Sequence, residues 1–183
     1  LLANPAGGDY APTDRSPARY WSPADGSSVA GAVPFVGAAT GPGVHGFWYV
    51  NRTFAADTAN RVAGDVVVTK GVTLNFQPGA ELLFEKGDLL AGGTDINRVE
   101  LRVEGTLEAD GTNSRPVRLR SAQNDPAPGD WYGVLILATT EAFNIAQVDL
   151  AHAVRGVSLL ANDHIVAGSV IHHGSFCAEG TTD

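Results

Sequence analysis

The sequence predicts an all-β solenoid, a column of short parallel strands, and three observations carry that expectation. Short runs alternate between apolar and polar residues; glycine, asparagine and proline punctuate them; and one unit keeps returning at spacings in the twenties. Period two marks a half-buried strand, and corners need residues that accept unusual dihedrals. Of 183 residues, 22 are Gly and 10 are Pro while only 17% are charged, a turn-rich β composition.

Residues 1–46 lack the periodicity. "NPAGGDYAPTDRSPARYWSPADGSS" is Pro/Gly/Ser punctuation and reads as an irregular arm, and 29–44 is too weakly apolar and too broken by Pro34 and Pro42 to span a bilayer. The solenoid is expected over 47–183. In "HGFWYVNRTF", Phe47 and Tyr49 fit a first strand, and Phe47, Trp48, Tyr49 and Phe54 are expected to help cap that end.

The clearest unit is "GDVVVTKGVTLNFQPGAELLFEKGD" at 64–88. Alternation puts Val72, Leu74 and Phe76 on one face, then Ala80, Leu82 and Phe84, with Glu81, Leu83 and Glu85 opposite. Gln77-Pro78-Gly79 is turn chemistry, Gly79 accepting a positive φ. "VELRVEGTLEADG" at 99–111 repeats the pattern, turning Val99, Leu101, Val103, Leu107 and Ala109 inward. Leu74 is matched to Leu101 and Leu82 to Leu107, at offsets of 27 and 25 positions. Next come "PVRLRSA", "WYGVLILA", "AQVDLAHA", "RGVSLL" and "GSVIHHG"; "AQVDLAH" aligns on "AGSVIHH" at an offset of 21, His152 onto His173. A sandwich would give longer strands and no returning motif. The 64–88 stretch therefore reads as two sides of one coil, each strand pairing in parallel with its equivalent in the next coil.

The order "GDVVV..GVTLNFQPGAELLFE", "LRVEGTLEADGTNSRPVRLRSA", "PGDWYGVLI" and "AQVDLAHAVRGVSLL" closely resembles the right-handed parallel β-helix proteins of the pectin-lyase-like superfamily, from about Asn51 to Phe176. More narrowly it resembles secreted bacterial surface proteins of that fold. The resemblance implies a β-helix and an extracellular or cell-surface location, and only weakly an enzyme. Lyases of this fold use an Arg or Lys base beside calcium-binding aspartates; Arg118 and Arg120 face outward without an evident aspartate cluster. The hydrolases carry an Asn-Thr-Asp strand, an Asp pair and a Gly-His-Gly turn, of which "HHG" at 172–174 is a partial echo.

The net charge of −8, with Lys70 and Lys86 the only lysines, disfavours nucleic acid and anionic membranes as partners. The single cysteine, Cys177, forms no disulfide within the chain; burial is preferred over pairing with another chain. The chain starts at Leu1 and contains no Met, which points to a processed or partial chain. Nothing resembling a cap follows "IVAGSVIHHGSFCAEGTTD", so either further coils or a stacked neighbour is expected there.

Four histidines, His152, His164, His172 and His173, fall in the last coils. His152 and His173, with Asp149 nearby, are weak candidates for a metal site. A stacked corner ladder is the preferred reading, because adjacent His172 and His173 should point to opposite sides of a strand. Glu81, Glu85, Glu100 and Glu104, with Asp149, are expected outward, paired with Arg102, Arg118 and Arg120 on a solvated face rather than forming a glycosidase pair. Among the aromatics, Trp131 is expected to be structural, after the "PGD" corner, while Tyr20, Trp21 and Trp48 are candidate partner or glycan contacts. Asn51-Arg52-Thr53 is a glycosylation sequon, and "AGGTD" at 91–95 resembles one calcium-binding nonapeptide unit without its repeat.

These observations predict no catalytic residues and no cofactor. The expected role is that of a non-catalytic extracellular structural or adhesive β-helix, self-associating through its ends or arm. The alternatives are a polysaccharide lyase, hydrolase or carbohydrate-binding module using the outer face, and a fragment of a larger surface protein.

Overall fold

In a computed structural model, residues 2–4, 9–12, 43–160 and 166–180 are described, with side chains over 43–160 and 166–175. Tyr20, Trp21 and His164 lie outside the described residues, as does the side chain of Cys177. β1 (Leu2–Asn4) and β2 (Asp9–Pro12) pair antiparallel, so the stretch expected to be wholly irregular contains a two-stranded ribbon. No described helix is long and apolar enough to cross a membrane.

The remaining strands wind as a parallel β-helix with three faces. Face one stacks β3 (Val44–Trp48), the second half of β5 (Ala59–Val68), β8 (Glu100–Val103), β11 (Gly133–Ile136), β14 (Arg155–Leu159) and β17 (Phe176–Gly180). Face two stacks β4 (Arg52–Phe54), β6 (Thr73–Phe76), β9 (Thr106–Asp110), β12 (Ala142–Ala146) and β15 (Val166–Ala167). Face three stacks the first half of β5, β7 (Glu81–Phe84), β10 (Val117–Ser121), β13 (Val148–Ala151) and β16 (Val170–His172). Every one of these pairings is parallel, and β5 turns a corner without interruption, so hydrogen bonding joins faces one and three into one ten-stranded sheet.

Period two explains which side chains fill the column. Val66, Leu101, Val134 and Val157 form one inward row, and Leu82, Leu119 and Leu150 another; all are buried. Phe54 stacks on Phe76 with ring centroids 5.2 Å apart, in register between β4 and β6. The corner at Gly79 has φ +87°, the left-handed conformation that the turn reading required.

The 64–88 unit is two sides of one coil, since β6 and β7 pair with other coils rather than with each other. The 21-residue offset also holds: Leu150 pairs with Ile171 and Ala151 with His172. The offsets of 27 and 25 do not. Leu74 stacks on Leu107, Leu101 on Val66, and Leu82 on Leu119. Alternation looks the same on every face, so the sequence match paired strands of different faces. β3 opens at Val44, slightly ahead of the expected boundary, and the aromatics there split by side. Trp48 is buried (3% exposed) against Phe54, whereas Phe47 and Tyr49 are 49% and 50% exposed on the outside.

Trp131 is fully buried, stacks on Phe84 at 3.8 Å with rings 3° apart, and donates from Nε1 to the Ala151 carbonyl at 2.8 Å. It therefore ties three successive coils. Trp131→Ala should cost about 3–5 kcal/mol of stability, read as a lower denaturation midpoint with the denaturant slope unchanged. A loss below ~1 kcal/mol would contradict this packing.

Candidate functional site

The most distinctive site grows from face one. Outward positions of a solenoid are normally solvated, yet Val67 and Leu135, which point outward from β5 and β11, are buried. The cover over Val67 is the 85–99 excursion between β7 and β8. It is held down by acids. Asp88 accepts from the amides of Asp65 (3.0 Å), Leu90 (3.0 Å) and Gly92 (2.7 Å). Glu100 accepts from the Thr94 amide at 2.8 Å and pairs with Arg102 at 2.8 Å, while Asp65 Oδ1 accepts from the Glu100 amide at 2.9 Å.

Glu100 was expected on a solvated face and is instead fully buried (0% exposed). Strand alternation gave its direction correctly, but a loop folds over that direction. The "AGGTD" segment lies in this loop. Its Gly92 and Thr94 amides are directed to carboxylates, the polarity opposite to what a cation would require. Gly93 is at φ +62°, and a Cβ there would lie 1.9 Å from Glu100 Oε1 and 2.5 Å from Asp65 Oδ2, so only glycine fits between the acids.

Asp65 is 5% exposed, and its Oδ2 has no hydrogen-bond partner among the described residues. Burial pushes its carboxyl up from 3.8 to about 7; the Asp88 and Glu100 charges add to this, and the Glu100 amide and Arg102 oppose it. Beside it opens a pocket of about 360 Å³ lined by Phe47, Val67, Leu90, Gly93, Asp65 and Arg102. Phe47 and Tyr49 stack outside it with centroids 6.4 Å apart and rings 18° from parallel. Sequence reasoning chose Trp48 as the exposed contact. It is a core residue, and its neighbours in sequence, Phe47 on the strand and Tyr49 just after it, present the exposed rings.

Of the other expected outward charges, Glu81, Glu85 and Arg120 form ion pairs between coils, as do several charges not singled out in the sequence. Arg120 pairs with Glu81, Arg61 with Glu85 and Arg115 with Asp57. Lys86 reaches Asp130 at 3.1 Å. Burial would raise the Asp130 carboxyl, but the Ala127 amide, the Ser121 hydroxyl and Lys86 outweigh it and hold it below its ordinary range. Asn51 of the sequon spends its side-chain oxygen on the Thr73 amide at 2.8 Å, joining two coils.

His152, His172 and His173 gather at a face-three corner. His152 stacks on His173 with centroids 5.6 Å apart, and Asp149 contacts His172 at 2.8 Å rather than either of them. His172 and His173 do not point to opposite sides; their rings lie 4.7 Å apart with Nδ1 facing Nδ1. The reason is that His173 leaves the strand at φ +52°, which ends the alternation. Among the described residues no group of three or more His, Cys, Asp or Glu is placed to hold a metal ion. Burial lowers the His152 pKa, the charges of His173, His172 and Arg120 add to that, and Asp130 opposes it.

Two pH dependences of opposite sign follow. His152 binds its proton less readily folded than unfolded, so its contribution is present above pH 6.5 and is lost on acidification. His152→Gln should flatten the stability decline between pH 7 and pH 5 by on the order of 0.5–1 kcal/mol. Asp65 binds its proton more readily folded, so it opposes folding increasingly from about pH 4 to about pH 7. Asp65→Asn, which keeps an oxygen for the Glu100 amide, should stabilise the protein at pH 8 by on the order of 2 kcal/mol and by much less at pH 4. Denaturation at the two pH values reads both effects; equal effects of Asp65→Asn at pH 4 and pH 8 would contradict the burial of an ionisable carboxyl.

No curated protein and no solved structure matches the chain. The family model described as the pectate-lyase-like β-helix domain matches residues 46–161, the segment that contains the covered face, its loop and the buried acids. On that match and on the parallel winding of its strands, the chain belongs to the pectate-lyase-like β-helix domain family.

Proposed function

We propose that this chain is a non-catalytic, extracellular β-helix of structural or adhesive role, and that its adhesive surface is the outside of face one, where it binds a glycan. The observation that carries the glycan reading is the pair of exposed, near-parallel rings of Phe47 and Tyr49, Phe47 lining a pocket that also holds Asp65 and Arg102. Flat rings beside a few polar groups suit the apolar face and hydroxyl edge of a sugar. Secretion or surface display, and self-association through the ends or arm, belong to the same proposal.

The use already made of the acids supports a role without chemistry. Glycoside hydrolysis needs two carboxyls facing one open cleft. Here Glu100 lies sealed under the loop, and Glu81 and Glu85 pair with arginines. The second reading is a polysaccharide lyase, favoured by the presence of Asp65 and Arg102 in one pocket. Against it, Arg102 Nη1 is engaged by both Glu100 and the Thr94 hydroxyl.

Affinity electrophoresis through gels containing plant and microbial polysaccharides tests the proposal. At least one polysaccharide should retard the protein, and the Phe47→Ala/Tyr49→Ala double variant should lose that retention at least tenfold, the scale of one to two aromatic contacts. Incubation with the same polysaccharides should yield neither unsaturated products nor new reducing ends. Products that disappear with Arg102→Ala would replace this reading with the lyase.

A further inference from the structure

We propose that the face-one pocket takes a single neutral pyranose ring of the glycan, in preference to a uronate, with Asp65 as its polar anchor; this rests on the glycan reading above. At about 360 Å³ the pocket lies at the small end of ligand sites, suited to one ring rather than an extended chain segment. Phe47, Val67 and Leu90 supply an apolar wall for a sugar's C–H face, Phe47 being aromatic and half exposed.

The polar part is built and unused. Asp65 is buried, its Oδ1 is spent on the Glu100 amide, and its Oδ2 finds no hydrogen-bond partner among the described residues. An orphaned buried oxygen is costly unless a ligand or water satisfies it. A hydroxyl both donates and accepts, so it satisfies that oxygen whether the carboxyl holds its proton or not. Only glycine fits at position 93 beside this oxygen, since a Cβ there would lie 2.5 Å from it.

Charge decides between a neutral and an acidic ring. Arg102 is the one cation among the residues lining the pocket, and its charge is already met by buried Glu100 at 2.8 Å. A uronate carboxylate would meet Asp65, with the Asp88 and Glu100 carboxylates close behind it, and no uncommitted cation. A neutral ring brings no such repulsion.

The test is calorimetric titration with neutral gluco-, manno-, galacto- and xylo-oligosaccharides and with oligogalacturonate of matched length. It uses the native chain, Phe47→Ala, Tyr49→Ala, and Leu90→Trp, which puts a bulky ring into the pocket and leaves Asp65 itself unchanged. A neutral oligosaccharide should bind at least tenfold more tightly than oligogalacturonate, and Phe47→Ala and Leu90→Trp should each weaken it at least tenfold. Tyr49→Ala should change affinity by less than threefold. Preference for oligogalacturonate, or neutral binding that Leu90→Trp leaves intact, would overturn the pocket assignment while the glycan reading stands. Absence of binding by every saccharide would overturn both, and unchanged circular dichroism of the variants separates these outcomes from misfolding.

Discussion

Everything in this molecule depends on one constraint: in a parallel coil, a strand has its backbone partners only in the coils above and below it. Unlike a hairpin, no described strand of the column pairs with its neighbour in sequence, so each corner must deliver the chain to a new face at the right height. Alternation is the other half of that constraint. With inward residues stacked in register, one misplaced polar side chain would interrupt a row that runs through the whole column. Side-chain links across coils, such as Asn51 to Thr73 and Trp131 to Ala151, reinforce the same axial direction.

The constraint leaves outward positions free, and the site arises from that freedom. Face one became a site because an excursion returned over it and was fastened by Asp88, Asp65 and Glu100. Burying Asp65 and Glu100 beside half-buried Asp88 is unfavourable by itself, and the cost is offset by amide donors, by Arg102 and by a proton held on Asp65 up to about pH 7. Such local strain against the general rule, polar groups outside and apolar groups inside, marks places where a surface has been shaped rather than merely solvated.

Much of this was legible in the chain, for physical reasons. Period two fixed which way Val72, Leu74, Phe76, Leu82 and Phe84 point, because a strand's geometry allows nothing else. The offset of 21 between Leu150 and Ile171 was readable because both residues lie on the same face, in strands that pair directly. The wider offsets misled because the 85–99 excursion lengthens one coil, and a short apolar run carries no label for its face. Glu100 and Trp48 were misjudged for related reasons. Alternation reports the side of the strand, but burial also depends on what folds over that side. The site's most exposed aromatics, Phe47 and Tyr49, were visible in "FWYV" but could be told from Trp48 only once the register against Val67 and Val68 was known. His172 and His173 show a third limit: the rule of opposite sides ends where a residue adopts a left-handed turn.

The way β5 crosses a corner has a mechanical consequence. Its first half pairs with β7 and its second half with β3 and β8, so one uninterrupted strand serves two walls of the column. A corner made of loop can hinge, whereas this one is a few residues of continuous strand held by rungs on either side, at Val62 and at Val66. The coil that bears the exposed rings of Phe47 and Tyr49 is thereby braced against shear, and a pulling force applied at those rings would be passed into two walls at once instead of peeling away one.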